Sequence, residues 1–250
     1  MGTSQSSSGS GGDSPLVPPW ADDQPQQPLP PPQTRRFAPF RQTLGSAVSN
    51  GYRDDFRKAI GHYARTASGG STSASRRMGS VAQAGAGLFG ALTGIPAAPG
   101  EASVDLKSLA GLPCEQAISA ISQALITEDG DSEKIRAAMN YALVEALDGV
   151  ETFDPQCITD DVIADTMISY LAESIFLQMV MDSGKAWNKA DTPTQAMHAE
   201  TELRELIKVV VDKHMAPRLT GNVRSLSRQQ MTQIERQSII DAWKEWEAYL

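Results

Sequence analysis

Histidine and cysteine are the side chains best suited to catalysis or metal binding, and this chain holds three histidines and two cysteines. His198 and Glu200 form the His-x-Glu pair found in zinc deaminases, a chemistry that also needs a Pro-Cys-x-x-Cys motif further along the chain. The only Pro-Cys pair, Pro113-Cys114, lies upstream and lacks a second cysteine at that spacing. Cys114 and Cys157 would each need a paired base to act as nucleophiles, so buried, unreactive thiols are the favoured interpretation. The sequence therefore predicts no catalytic residue, no metal site and no cofactor.

The first residues, Met1-Gly2-Thr3-Ser4, suggest a different reactive group. Removal of the initiator methionine would leave Gly2 as a free α-amine, whose ordinary pKa of about 8 keeps part of it unprotonated at neutral pH. Residues 1–34 consist mainly of Ser, Gly, Pro and Gln, with too few apolar side chains to offset the entropy of ordering the backbone. We therefore expect a disordered tail that holds Gly2 clear of a folded body. The sequence around Gly2 also fits the N-myristoylation pattern, which leaves acylation as an alternative.

A short apolar segment, Leu16 to Trp20, lies within the tail and is followed by a proline cluster at residues 28–32. Proline at this density favours polyproline II, a stiff conformation that loses little entropy when it docks in a groove. One interpretation is a solvated linker. The other is a short linear motif in which Leu16, Pro18, Pro19 and Trp20 bind a partner, with Trp20 as the anchor.

The formal net charge of −8 is unevenly distributed, at −3 over residues 1–34, +7 over residues 35–79 and −12 over the remainder. We call residues 35–79 the basic segment. It can dock on the acidic remainder of the chain, or it can bind a nucleic acid or an acidic partner. Its basic residues are spaced like helix faces and lack interleaved stacking aromatics, which favours docking. The residues considered as contacts for an acidic partner or a nucleic acid are Arg35, Arg36, Arg76 and Arg77.

Length and cysteine content place further limits on the class of protein. The 250 residues suffice for one domain of about 150–200 residues and a tail. Two cysteines are too few for a disulfide framework, which favours a reducing compartment. No signal-peptide pattern opens the sequence, and no apolar run reaches the roughly 18–20 residues needed to cross a bilayer. These features predict a cytoplasmic protein with no membrane association.

Apolar residues recur at helical spacing through most of the chain, and no alternating strand pattern or internal repeat is evident. We predict an all-α fold, a helical bundle of about six to seven helices preceded by the disordered N-terminal tail. The predicted helices cover about residues 52–67, 75–92, 113–127, 131–149, 159–184, 192–213 and 227–250. The predicted parts of the chain are the tail at 1–34, a basic neck with one or two helices and a Gly-rich segment at 35–100, and an acidic helical domain at 101–250.

The opening residues resemble those of a known family. They are similar to the N-terminus of the QatB family, components of the bacterial QatABCD anti-phage system, in Met1-Gly2-Thr3-Ser4 and again from Pro15 to Trp20. The resemblance implies three companions: an ATPase, a protein resembling the QueC enzyme of 7-deazaguanine synthesis, and a TatD-like nuclease. For this chain it implies a non-enzymatic subunit that acts with the QueC-like protein.

QueC-type enzymes use ATP to activate a carboxylate on a deazapurine and then accept an amine. The resemblance therefore suggests Gly2 as the acceptor amine, with Thr3 and Ser4 guiding it through a narrow active-site entrance. Our hypothesis is a non-enzymatic interaction subunit of an anti-phage defence complex, which presents Gly2 to the QueC-like companion for binding or covalent modification. The alternative is a nucleic-acid-binding adaptor that uses residues 35–79.

Overall fold

A computed structural model describes residues 10–11, 14–22, 24–126 and 129–250. Over these residues the regular secondary structure is helical, with nine α-helices, short 3₁₀ segments and no β-strand. The helices are α1 (Ala38–Asn50), α2 (Arg53–His62), α3 (Gly70–Arg77), α4 (Gly79–Thr93), α5 (Cys114–Ala124), α6 (Ser132–Ala146), α7 (Asp160–Asp182), α8 (Pro193–Met215) and α9 (Arg228–Glu247). The all-α fold is therefore confirmed, with more helices than the six to seven expected.

Several helices begin at the capping residues that the sequence indicates. Thr159 caps α7 and Thr192 caps α8, each by accepting the backbone N–H three residues further on. Ser227 and Gln230 form the complete capping box of α9, in which each side chain accepts the other residue's backbone N–H, at 3.2 and 2.8 Å. These bonds satisfy donors that the first turn of a helix leaves without partners, so they fix where the core helices start.

Helix α7 lies at the centre of the molecule. It packs against α4, α6 and α8. Its predicted apolar residues Ile163, Met167, Leu171, Ile175 and Met179 are completely buried. A helix that is apolar on most sides needs neighbours on most sides, and α7 has them. None of the helices in the described ranges is both long and apolar enough to cross a membrane.

Helix α1 is the element that the sequence analysis does not predict. Gly45, Ser46 and Ser49 give it a weak intrinsic helix propensity. It forms because Phe40 and Leu44 are completely buried, and tertiary packing of this kind supplies most of the stability of a short helix.

The helices on either side of residue 69 also differ from the expected boundaries. The predicted helix at 52–67 is present as α2 followed by a π-helical turn, Tyr63–Ala67, closed by a 2.9 Å bond from the Ser68 N–H to the Tyr63 carbonyl. This wider turn holds one more residue than an α-helical turn. The predicted helix at 75–92 is divided at Met78 into α3 and α4, and α3 begins earlier, at Gly70.

Candidate functional site

Residues 14–22 and 24–34 precede α1, and we call this segment the strap; residues 16–18 and 21 are buried, whereas 24–28 and 30–34 are exposed. It contains turns and irregular backbone but no helix. Leu16 and Val17 are each 9% exposed and Ala21 is 2% exposed, so the strap buries a small apolar cluster of its own. Burial of a few aliphatic side chains offsets only part of the entropy of ordering such a segment. Polar contacts must therefore supply much of the docking energy.

The disordered tail expected at residues 1–34 remains a prediction for residues 1–9, 12–13 and 23, which lie outside the described residues. The strap, in contrast, has a defined position on the body. The amino-acid composition of the tail does not reveal this docking, because the arginines that bind the strap belong to other parts of the chain.

Gly69 is a point of close approach between strap and body. A methyl group at this position would lie only 2.7 and 2.9 Å from the two δ-carbons of Leu16. Its φ of +79° is also in the left-handed region, which favours glycine. Both the backbone conformation and the space available at residue 69 therefore suit glycine alone.

Arg76 of α3 holds the middle of the strap. Its Nε and Nη2 donate to the two carboxylate oxygens of Asp22 at 2.9 and 2.6 Å. Its Nη1 donates to the carbonyl of Gln27. The Arg76 side chain is 5% exposed, and its hydrogen bonds hold the pKa of the Asp22 carboxyl below the usual range. A bidentate pair shielded from solvent is among the stronger ion pairs in proteins, so this pair fixes the strap in register.

Arg36 and Arg41 hold the first described residues of the chain. Arg36 is 4% exposed and donates through Nη2 to the Ser14 hydroxyl at 3.1 Å. Burial lowers the pKa of its guanidinium below the ordinary value. Arg41 donates through Nη2 to the carbonyl of Ser10 at 2.6 Å, and through Nε to the carbonyl of Asp182 at 2.8 Å. The chain is therefore tied at Ser10 to α1 and to the end of α7.

Asp131, just before α6, binds a group of donors close to the strap. It is 2% exposed and accepts two hydrogen bonds from Arg77, at 2.7 and 3.1 Å, one from Ser80 at 3.0 Å and one from Lys134 at 3.0 Å. Burial alone would raise the pKa of the Asp131 carboxyl, but the hydrogen bonds from Arg77 and the charge of Lys134 lower it to about 2. The sequence predicts Asp131 or Ser132 as the cap of α6. Asp131 occupies that position, but its side chain makes no capping bond.

Lys134 continues this network into the core. Its ammonium is 3% exposed and donates to the amide oxygen of Gln178 at 2.8 Å. Burial, together with repulsion from Arg77, lowers the pKa of the ammonium to about 8 in spite of the nearby Asp131. The Asp131 carboxylate is thus the group that makes a buried positive charge tolerable at this position.

The network ends at Asp182, the last residue of α7. Its carboxylate accepts from the Gln178 amide at 3.0 Å, from the Tyr63 hydroxyl at 2.7 Å and from the Ser10 hydroxyl. Burial raises the pKa of the Tyr63 hydroxyl well above its usual range, so this group stays a hydrogen-bond donor. A continuous series of polar contacts therefore connects Asp131 with the position at which Ser10 is bound.

Pro19 and Trp20 form the outward face of the strap. Trp20 is 52% exposed, and one part of its indole lies against the backbone at Gly130. Leu16 and Pro18 are buried towards the body. Of the four strap residues expected to bind a partner, only Pro19 and Trp20 are therefore accessible. Trp20 therefore combines a fixed position on the body with a half-exposed indole face.

Residues 69–246 match the family described as Qat anti-phage system associated protein QatB. The chain belongs to the QatB family. The resemblance seen in the opening residues is thereby confirmed over a different part of the chain. No curated protein and no solved structure matches the chain.

The QatB family match runs from Gly69 to Trp246 and so includes α3 to α8 and nearly all of α9. Three groups that hold the strap or lie behind it, Gly69, Arg76 and Asp131, fall within the matched region, whereas the strap itself precedes it. The chain is therefore a component associated with an anti-phage system. The description of the family names no enzymatic activity.

The remaining predicted residues occupy varied positions. Gly2, Thr3 and Ser4 lie outside the described residues. Arg35 is exposed and has a φ of +56°. Arg77 binds Asp131, so its acidic contact belongs to this chain, as do those of Arg76.

The two cysteines have different environments. Cys114 and Cys157 are free thiols, the first buried and the second partly exposed. Burial raises the pKa of the Cys114 thiol, which lowers its nucleophilicity at neutral pH. Within the described ranges, no group of three or more His, Cys, Asp or Glu side chains is placed to hold a metal ion.

The binding partners of three aspartates were not identified from the sequence. Asp22 binds Arg76, Asp131 binds Arg77, and Asp182 binds Ser10. The positive charge of residues 35–79 signals that acidic partners are needed. Nothing in the spacing along the chain shows which aspartates these are, because Asp22 and Arg76 are 54 residues apart.

Proposed function

We propose that this QatB-family chain is an interaction subunit of the Qat system that presents its N-terminal segment to a QueC-like companion. An ATPase and a TatD-like nuclease are the further companions that we propose for the same complex. The observation that carries the proposal is the docking of the chain before α1, in which Arg36, Arg41 and Arg76 bind Ser10, Ser14, Asp22 and Gln27. A segment already held on a body has less conformational freedom to lose when a partner binds it.

The bond between Arg41 and Ser10 limits how far an N-terminal amine can extend. Gly2 precedes Ser10 by eight positions, a stretch of chain that spans at most about 30 Å when fully extended. A companion that receives Gly2 must therefore bind within that distance of α1 and the end of α7. Trp20, half exposed on the strap, is the anchor that we propose for it.

We further propose the Gly2 α-amine as the acceptor in an acylation carried out by the companion, with Thr3 and Ser4 following it into the active site. A QueC-type companion would activate a deazapurine carboxylate with ATP. The unprotonated amine attacks the activated acyl carbon and an amide C–N bond forms. The activated oxygen leaves with the activating group, and the amine gives its proton to solvent. The ordinary pKa of an α-amine, about 8, supports this role at neutral pH.

The nucleic-acid adaptor has less support. Arg36 and Arg76 are buried beneath the strap, and Arg77 binds Asp131. These guanidinium groups would have to exchange carboxylates and strap oxygens of their own chain for phosphates before they could bind a nucleic acid.

Co-expression with the QueC-like companion, followed by intact mass spectrometry, tests the acceptor role. We expect a mass increase equal to the deazapurine acid less one water, located on the N-terminal peptide. A variant that lacks residues 2–9 keeps the strap and is the matched control, expected to show no increase. A Gly2 terminus that stays unmodified under conditions that confer defence would contradict the acceptor role.

A pull-down tests the binding role separately. Trp20→Ala removes the exposed anchor, and we expect it to reduce capture of the companion by about tenfold or more, as interface tryptophans commonly do. Pro25→Ala changes an exposed strap residue and is the control. Equal capture by the two variants, together with full capture by a variant lacking residues 2–20, would refute binding through the N-terminal segment.

A further inference from the structure

An open groove of about 860 Å³ lies between α1 and the 3₁₀ segment Gly184–Lys189. Arg41, Lys185 and Lys189 line it, and no carboxylate does so in the described part of the chain. Both lysines are exposed, and neither forms an ion pair with any described residue. The groove is therefore lined by three positive charges; the charge of the Asp182 carboxylate acts on Arg41, and the two lysines are left without an ion-pair partner among the described residues.

Two glycines allow the cationic side chains to lie across this groove. The Cγ of Lys189 is 3.2 Å from where a methyl group at Gly45 would lie. In the same way, the Nε and Cζ of Arg41 are 3.2 and 3.4 Å from a methyl position at Gly184. Since no side chain fills either position, the lysine stem and the guanidinium rest on backbone and carry their charges close to the groove.

The negative charge of the surrounding chain favours short acidic ligands in the groove over long polyanions. Lys185 and Lys189 come from residues 80–250, which carry a formal charge of −12. A positive groove on an acidic body attracts a short acidic ligand, whereas the body repels a long polyanion beyond the groove. Among the described residues, no aromatic side chain lines the groove to stack on bases, as in proteins that bind single-stranded nucleic acids. Carboxylates on a peptide fit these conditions better than a nucleic acid does.

The dimensions of the groove suit an extended chain. From Arg41 to Asn50 it follows about 14 Å of α1. Asn50 also lines a second groove, of about 520 Å³, together with Thr192 and Thr194 at the start of α8. The 14 Å along α1 offers room for about four residues of extended peptide at 3.3 Å per residue. The exposed hydroxyl of Ser46 supplies a neutral hydrogen-bonding group along the wall.

We infer that the groove formed by Arg41, Lys185 and Lys189 binds an extended acidic segment of a partner protein. Arg41 also holds Ser10, so a partner bound here lies beside the start of the described chain. This surface is separate from the Trp20 anchor and does not depend on whether Gly2 is modified.

Fluorescence anisotropy of the full-length protein with a labelled hexapeptide that alternates Glu and Ser tests the inference. A hexapeptide that alternates Gln and Ser is the uncharged reference. The groove variant is Lys185→Glu with Lys189→Glu, and the matched control is Lys107→Glu with Lys244→Glu, which makes the same charge change at exposed lysines outside the groove. We expect the groove variant to bind the acidic peptide at least about tenfold more weakly than the control, and added salt to weaken binding to the wild type.

A second variant, Ser46→Glu with Ser49→Glu, adds negative charge to exposed positions of the groove wall and should weaken binding in the same way. Thermal unfolding of each variant within about 2 °C of the wild type would show that the fold is intact. Equal affinity in the groove and control variants would overturn the inference, as would failure of the wild type to bind at millimolar peptide. Tighter binding of a single-stranded oligonucleotide or of inorganic tripolyphosphate would show that the ligand class is wrong.

Discussion

Replacing Asp131 with asparagine removes the charge that balances two buried cations. The Lys134 side chain is 3% exposed and that of Arg77 is 15% exposed. Asparagine keeps the shape of the side chain but leaves both cations without a counter-charge. Removal of one partner from a buried ion pair costs about 3–5 kcal/mol. We expect Asp131→Asn to lower the free energy of unfolding by about this amount at neutral pH.

The pH dependence of stability gives a second, independent figure. The pKa of Asp131 is about 2 in the folded protein against an ordinary value of 3.8, a difference that corresponds to about 2 kcal/mol. Because the folded-state pKa is the lower one, this stabilisation is present above pH 4 and is lost as the pH falls from about 4 towards 2. It is smaller than the cost of substitution because the pKa already includes the penalty for burying the carboxylate.

Urea unfolding followed by circular dichroism measures both effects. A loss of 3–5 kcal/mol should lower the midpoint by more than about 1 M, given a slope of about 2–3 kcal/mol per molar urea. Glu133→Gln is the matched control, because Glu133 is a largely exposed carboxylate in the first turn of α6 that pairs only with Arg136 at the surface. Such a pair contributes less than about 1 kcal/mol. The reasoning is refuted if Asp131→Asn destabilises the protein no more than Glu133→Gln does, or if it keeps the acid dependence of the wild type.

Three further perturbations follow from the same contacts. Asp22→Ala removes the carboxylate that binds Arg76, so we expect a protease to cleave the strap about tenfold faster, with unchanged thermal unfolding of the body. An unchanged cleavage rate would argue against the role of the Asp22–Arg76 pair in holding the strap. Gly69→Ala places a side chain in a left-handed backbone conformation, at a cost of about 1–2 kcal/mol, and brings its methyl group against Leu16. We therefore expect amide hydrogen exchange in the strap to be faster than in the wild type, and equal exchange would contradict the close approach of Gly69 and Leu16. Glu235 is completely buried, neither carboxylate oxygen has a hydrogen-bond partner among the described residues, and burial raises its pKa well above 4.5. The contribution of Glu235 to the stability of the wild type therefore falls as the pH rises above 4.5. The melting temperature of Glu235→Gln should rise relative to that of the wild type between pH 5 and 8. A constant difference in melting temperature would show that the carboxyl does not titrate.

Local sequence signals were sufficient for the helices from α5 to α9. The capping box at Ser227 and Gln230 involves residues three apart, and the apolar run of α7 repeats within a few turns. Such patterns depend on nearest neighbours in the chain, so they can be recognised without the fold. Helix α1 has no such pattern, because its stability comes from the burial of Phe40 and Leu44 against distant elements.

The strap could not be predicted for the same physical reason. Its contacts join residues far apart in sequence, such as Gln27 and Arg76, separated by 49 positions. Uneven charge predicted that residues 35–79 would dock on acidic groups, and the pair between Arg77 and Asp131 is one such contact. No local sequence pattern predicts the basic groove, because it combines Arg41 with two lysines that lie more than 140 positions later, in the acidic part of the chain.

The π-helical turn at Tyr63–Ala67 makes the strap sensitive to chain length. Deleting one residue there, such as Thr66, would let α2 continue as an ordinary α-helix and would rotate the following residues by about 100° around the helix axis. Gly69 would then turn away from Leu16. The number of residues in this turn, more than their identity, thus sets the direction in which the start of the QatB-family region faces the N-terminal segment.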